Sequence, residues 1–148
     1  MQFVKSRVQC DIDFDRPGRQ SGFLRAPHST NTSGWGTVQI PIYVLKNGTG
    51  PTLLLTGGVH GNEYEGQIAI SRLAQSIKPE EISGRLILMP SVNTPAALNH
   101  NGTRMSPLDG RDLNRCFPGN PTGTFCDMLA HFIDSNILPH VDVAVDMH

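Results

Sequence analysis

The sequence predicts an α/β domain whose mixed, largely parallel sheet carries helices on both faces. Two short runs, Thr52-Leu53-Leu54-Leu55-Thr56 and Leu86-Ile87-Leu88-Met89, are continuously apolar at their centres, as expected of strands covered from both sides. Between them Ile70, Leu73, Ala74 and Ile77 recur at i, i+3, i+4 and i+7, the stripe of an amphipathic helix. A strand, helix, strand order implies a right-handed crossover unit.

The remaining elements follow in order. Val8, Cys10, Ile12 and Phe14 alternate with polar residues before Arg16-Pro17-Gly18, which predicts an edge-type strand and a turn. Residues 29–36 have loop composition. Val38, Ile40, Ile42 and Val44 alternate again as a half-buried strand ending at Asn47-Gly48, and Pro41 within it suits an edge, where a missing N–H does no harm. Gly57-Gly58 stops the next strand and Pro79 terminates the helix. Residues 91–121 show neither period, and so long a connection is usually functional. Phe125, Met128, Leu129, Phe132 and Ile133 repeat the helical stripe, and residues 141–145 begin a strand that runs into Asp146-Met147-His148.

At 148 residues the chain has the size of one domain, able to bury roughly 70% of the surface its unfolded form exposes. With 12 Lys+Arg against 13 Asp+Glu and a net charge of -1, it lacks the electrostatic footprint of a nucleic-acid or anionic-membrane binder. A small-molecule partner fits better, and the oligomeric state is left open. The first nine residues have no apolar h-region and no run approaches the ~18 apolar residues of a spanning helix, so the expectation is a soluble, cytoplasmic protein. Cys10, Cys116 and Cys126 form no Cys-x-x-Cys pair, which argues for reduced thiols without a zinc or disulfide role.

The chemistry concentrates in Gly57-Gly58-Val59-His60-Gly61-Asn62-Glu63 and in His148. A three-residue offset puts Glu63 about one helical turn from His60, so both side chains can reach one ion. His, Glu, His is a ligand set of catalytic zinc, which keeps its fourth position open. All three residues leave or finish strands at the carboxyl end, where ligands bind in open α/β sheets. His-x-x-Glu alone is a weak motif, and a surface pair at a helix start is its bland reading. Context strengthens it: a strand and Gly-Gly precede it, and an arginine-bearing loop and a strand ending in Asp-x-His follow. His28, His100, His131 and His140 lack partners at ligand spacing and are read as surface or capping residues.

With the stretches Asn93-Thr94-Pro95-Ala96-Ala97 and Gly102-Thr103-Arg104-Met105-Ser106-Pro107-Leu108-Asp109-Gly110-Arg111-Asp112-Leu113-Asn114-Arg115-Cys116-Phe117-Pro118-Gly119 added, the chain resembles the succinylglutamate desuccinylase/aspartoacylase family, which is related to the zinc carboxypeptidases. The resemblance covers essentially everything after Trp35. It implies a zinc carboxypeptidase-like fold with one zinc held by His60, Glu63 and His148. It also implies an arginine, Arg104, that polarises the scissile carbonyl, and a pair, Asn114 and Arg115, that receives the substrate carboxylate. A guanidinium suits both arginine roles, being permanently charged and offering a planar fork of donors. The alternative for Arg104 and Arg115 is a solvated charge or a bridge to Asp109 or Asp112. Asp112 and Asp146 are competing candidates for the carboxylate that takes the other N–H of a ligating imidazole.

The implied activity is zinc-dependent hydrolysis of a linear amide, removing a small acyl group from an N-acylated amino acid. Residues 21–42, with Ser33-Gly34-Trp35-Gly36, are most similar to the deacetylases acting on N-acetyl-diaminobutyrate in ectoine breakdown. A metallocarboxypeptidase is the nearest enzymatic alternative, and a zinc-binding fragment without turnover is the other. On this reading residues 1–36 form an N-terminal strand and loop region, and residues 37–148 the N-terminal part of a catalytic domain truncated at its C-terminus. No residue here maps to the glutamate that serves the family as general base; Glu65, Glu80 and Glu81 do not match its motif.

Overall fold

The computed structural model describes residues 3–148. Its strands are β1 (Gln9–Cys10), β2 (Gly18–Thr30), β3 (Ser33–Asn47), β4 (Thr52–Thr56), β5 (Gly84–Met89) and β6 (Val143–Asp146), and its α-helices are α1 (Tyr64–Ser76), α2 (Thr94–Leu98) and α3 (Phe125–Phe132). All six strands join one mixed sheet in the order β1-β2-β3-β5-β4-β6. β4 pairs in parallel with β5 and β6, while β1–β2, β2–β3 and β3–β5 are antiparallel. The antiparallel share exceeds what the two covered strands alone imply, because β2 and β3 build a long hairpin onto them.

Alternation along β5 explains its continuously apolar sequence. Leu86 and Leu88 face one core with Leu45 and with Ile70 and Ala74 of α1. Ile87 and Met89 face the other core, with Leu24, Ile40, Ile42, Leu54 and, from α3, Leu129 and Phe132. Successive side chains point to opposite faces, so a strand between two helical layers has no polar side. Each of these fully buried aliphatic or aromatic side chains contributes about 1.5–3 kcal/mol relative to exposure.

The hairpin is where the structure departs from the sequence reading. Residues 29–36 are not a loop: β2 continues to Thr30, β3 begins at Ser33, and only residues 31–32 turn between them. Cross-strand pairing supplies the ladder that local composition does not advertise. β1 is only two residues long, and Val8, Ile12 and Phe14 are buried from irregular backbone on either side of it. The strand holding Pro41 lies inside the sheet, yet β5 pairs with β3 only as far as Tyr43↔Leu88, so Pro41 itself sits beyond β5. The division at 36/37 falls within β3, where Gly36↔His28 and Thr37↔Pro27 pair on either side of it. In the long connection of residues 91–121 the chain forms α2 and a 3-10 turn, Leu113–Arg115.

That connection is pinned to α3 by Asp109, whose carboxylate accepts from the backbone N–H of Cys126 at 2.8 Å. Burial opposes its ionisation, but hydrogen bonds from Cys126, Thr124 and Arg111 outweigh that and hold the carboxyl below its ordinary value. The same burial, with the Asp109 charge beside it, pushes the Cys126 thiol up, as befits an inert structural cysteine. All three cysteines are free. Because the folded pKa of Asp109 is depressed, its stabilising contribution is complete above the unfolded carboxyl pKa of about 3.9 and disappears as pH falls through the folded value. We therefore expect Asp109→Asn to lower the urea midpoint at pH 7 and to differ much less from the unaltered protein near pH 2; an equal gap at both values would refute this. Among the described residues no helix is long and apolar enough to cross a membrane.

Candidate metal centre

The site is assembled where β4 and β6 end. Beyond Thr56 the backbone turns through Gly57 and Gly58, the latter at φ +67°, a conformation that a residue without Cβ adopts freely. His60 follows and is 2% exposed. Glu63 occupies the N-cap position of α1, half-buried. β6, parallel to β4, delivers His148 alongside, and the backbone carbonyl of His148 accepts from Val59 N–H at 2.8 Å. This bond joins the segments that carry His60 and His148 directly.

The three side chains meet. One ligand atom from each of His60, Glu63 and His148 lies within 4.8 Å of the others, and the two imidazole rings stand edge to face with centroids 4.5 Å apart. Tetrahedral zinc with bonds of about 2.0–2.2 Å separates its ligand atoms by about 3.5 Å. Small side-chain rotations span the difference, and a nitrogen, nitrogen, carboxylate set suits zinc chemically. The residues fit the ion.

Each imidazole has its own carboxylate. His60 Nδ1 lies 2.8 Å from Glu63 Oε1, while Nε2 on the opposite side lies 3.1 Å from Asp112 Oδ1. His148 Nδ1 lies 2.7 Å from Asp146 Oδ2, and Asp146 Oδ1 accepts from Thr56 Oγ1 at 2.9 Å. The two candidate carboxylates therefore do not compete: Asp112 serves His60 and Asp146 serves His148. Asp112 also caps the 3-10 turn, accepting from Asn114 N–H at 3.2 Å. Burial opposes ionisation of Asp112, but hydrogen bonds from His60 and Arg104 prevail and keep its carboxyl below the usual value.

Arg104 donates through Nε and Nη2 to Asp112 Oδ2 at 3.2 and 3.1 Å, so the bridge to Asp112 weighed from sequence does form. Asn114 lines a cavity of about 190 Å³ together with Thr56, Val59, Phe117 and Asp146. Arg115 is exposed and makes no ion pair among the described residues. The structure thus gathers His60, Glu63, His148, Asp112 and Arg104, sets Asn114 beside the cavity, and leaves Arg115 exposed outside the cavity lining. Sequence reasoning gave no role to Asn93 and Gln67, which bond the backbone of the His60 turn; the only signal was Asn93 in its Asn-Thr-Pro-Ala-Ala stretch. We expect Asp112→Ala to weaken zinc binding about 10–100-fold, measured by chelator competition; unchanged affinity would remove Asp112 from the site.

Architecture and site together define a mixed α/β domain with a candidate metal centre at its strand ends. Residues 49–148 match the succinylglutamate desuccinylase/aspartoacylase catalytic domain, and the chain belongs to that family. It is 45% identical over 143 residues to an N-alpha-acetyl-L-2,4-diaminobutyric acid deacetylase from Halomonas elongata, covering 97% of this chain and 41% of that protein. A solved succinylglutamate desuccinylase/aspartoacylase from Rhodobacter sphaeroides superposes with TM-score 0.92 at 68% identity, covering 97% of this chain and 43% of that one. The product-bound ectoine utilization protein EutE (DoeB) from Ruegeria pomeroyi gives TM-score 0.92 at 47% identity with the same coverage of both chains. At the level of fold alone, a metallo-carboxypeptidase from Pseudomonas aeruginosa matches 76% of this chain and 32% of its own, with TM-score 0.55 and 21% identity. The chain spans about two fifths of the length of its similar relatives.

Proposed function

We propose that this chain supplies the metal-binding part of a zinc-dependent amidohydrolase that removes a small acyl group from an N-acylated amino acid, with N-acetyl-diaminobutyrate as the substrate. The convergence of His60, Glu63 and His148 within 4.8 Å carries the reading. The deacetylase relative, 45% identical, supports the substrate.

His60, Glu63 and His148 would hold one zinc ion. The chemistry that such an ion supplies when bound is Lewis acidity, which polarises a carbonyl and lowers the pKa of water. The chain's own residues do the orienting. Asp112 takes the Nε2–H of His60, so that Nδ1 presents its lone pair beside Glu63. Asp146 fixes the His148 ring in the same way through Nδ1. Arg104 commits two of its N–H groups to Asp112, and its remaining donors are available to an amide carbonyl as negative charge develops on the oxygen. Asn114 and Arg115, adjacent on the 3-10 turn, would receive the substrate carboxylate, Arg115 moving in from its exposed position.

The test is acetate release from N-alpha-acetyl-L-2,4-diaminobutyrate, compared with cleavage of dipeptides, by the zinc-loaded protein with and without chelator. Chelator-sensitive acetate release supports the proposal. Dipeptide cleavage alone would support a metallocarboxypeptidase. Stoichiometric zinc binding with no turnover would leave a zinc-binding fragment.

A further inference from the structure

We infer that two carboxamides, those of Asn93 and Gln67, position the His60–Glu63 turn for its metal ion by gripping the backbone on either side of His60. The inference rests on the zinc reading above and adds residues to which that reading gives no part.

Residues 57–63 lie between β4 and α1 and have no ladder of their own, so their carbonyls must find partners elsewhere. Gly57 and Gly58 carbonyls accept from the backbone N–H groups of Val92 and Asn93, both at 2.9 Å. The Val59 carbonyl, immediately before His60, accepts from Asn93 Nδ2 at 3.3 Å. The Gly61 and Glu63 carbonyls, beyond it, accept from Gln67 Nε2 at 3.2 and 3.0 Å. Three peptide carbonyls around the two candidate ligands are therefore gripped by side-chain amides: those of Val59 and Gly61, which lie outside any helix or strand, and that of Glu63 at the N-cap of α1.

The state of Asn93 singles it out. It is completely buried, and its Oδ1 has no hydrogen-bond partner among the described residues. A buried acceptor left unpaired detracts from stability, so what keeps the carboxamide here is the carbonyl that its other end holds. Gln67 grips from α1, and its hydrocarbon stem lies over Gly58: a Cβ built there would sit 2.9 Å from Gln67 Cγ and Cδ. One side chain thus touches the turn both before and after His60. A turn held in advance need not be ordered when the ion arrives, and that saved entropy appears as affinity. It also fixes where the His60 ring points, because first ligands are only as well placed as their supports.

Asn93→Leu and Gln67→Met keep approximate shape and remove the donors. Zinc affinity of the purified full chain is read by competition with a chromogenic chelator, ligand geometry by the visible spectrum of the Co²⁺-substituted protein, and stability by thermal unfolding without metal. Each variant is expected to bind zinc about tenfold more weakly and to show an altered Co²⁺ spectrum, while the metal-free midpoint of Asn93→Leu stays near that of the unaltered chain, because the change removes one unpaired acceptor, Asn93 Oδ1, and leaves another, the Val59 carbonyl. Asn136→Leu is the control. Asn136 is equally buried with an unpaired Nδ2, but it bonds Val4 and not the turn, so its zinc affinity and Co²⁺ spectrum should match those of the unaltered chain. Zinc affinity and spectra unchanged in Asn93→Leu and Gln67→Met, or lost equally in Asn136→Leu, would overturn the inference. Gln67→Met, at a half-buried helix position, keeps it falsifiable if Asn93→Leu does not fold. An unaltered chain that binds no zinc would overturn the zinc reading, and this inference with it.

Discussion

Replacing His60 with alanine is expected to lower zinc affinity by more than the roughly hundredfold that loss of an outer carboxylate partner can cost. His60 is a ligand candidate itself, and it is the residue on which the local network converges: Glu63 meets Nδ1 and Asp112 meets Nε2. Its removal leaves Glu63 and Asp112 without the imidazole that both meet. At zinc concentrations a hundred times the dissociation constant of the unaltered chain, binding raises stability by about 2.7 kcal/mol. His60→Ala should lose that increment, so thermal unfolding with and without zinc should give the same midpoint. A zinc-dependent rise as large as that of the unaltered chain would show that the ion is held elsewhere.

Gly61→Ala is expected to be one of the most damaging glycine-to-alanine changes among the described residues. A Cβ at Gly61 would lie 2.1 Å from the Ala96 carbonyl carbon and 2.3 Å from Ala97 N. Both are backbone atoms of α2, so no side chain can swing aside, and either the turn or the helix must shift. Gly61 N–H also donates to the Thr103 carbonyl at 2.7 Å, and Thr103 N–H to Ala96 O at 2.9 Å, so the displacement would reach the loop that carries Arg104. Overpacking of this kind costs about 1–3 kcal/mol and occasionally more; with backbone on both sides, we expect about 3 kcal/mol or above in urea unfolding, together with weakened zinc binding. An alanine variant with unchanged midpoint and affinity would mean that the turn is far more pliable than its hydrogen bonds indicate.

Both predictions involve the same seven residues, and those residues show how unevenly the sequence speaks. The strand before them, the helix after them and the strand bearing Leu86 were legible because their apolar periods are set by local geometry. The His, Glu, His set was legible for a different reason, its residue types being the ones zinc chemistry requires. Of the hairpin only the second half of β3 was legible, from the alternation of Val38, Ile40, Ile42 and Val44; β2 and the start of β3 were not, since Gly22, Pro27 and the glycines around Trp35 break any local period while the pairing Gly18↔Lys46 to Thr30↔Ser33 supplies the order. The assignment of Asp112 to His60 and of Asp146 to His148 stayed open from sequence because carboxylates at several spacings fit equally well. Only distances in space separate them. Asn93 entered the sequence reading only within its Asn-Thr-Pro-Ala-Ala stretch, and nothing in its neighbours' spacing reveals that its amide reaches Val59.

By itself the sequence determined which segments alternate, which are covered on both faces, and which side chains have the chemistry to hold a divalent ion, because these depend on residue type and on neighbours a few positions away. Tertiary structure alone decided which carboxylate meets which imidazole, which amides grip the turn, and that Arg104 is anchored while Arg115 is not. Those outcomes depend on contacts spanning tens of residues along the chain, such as the 52 between His60 and Asp112, and contacts of that separation are fixed by how the sheet and its two cores pack.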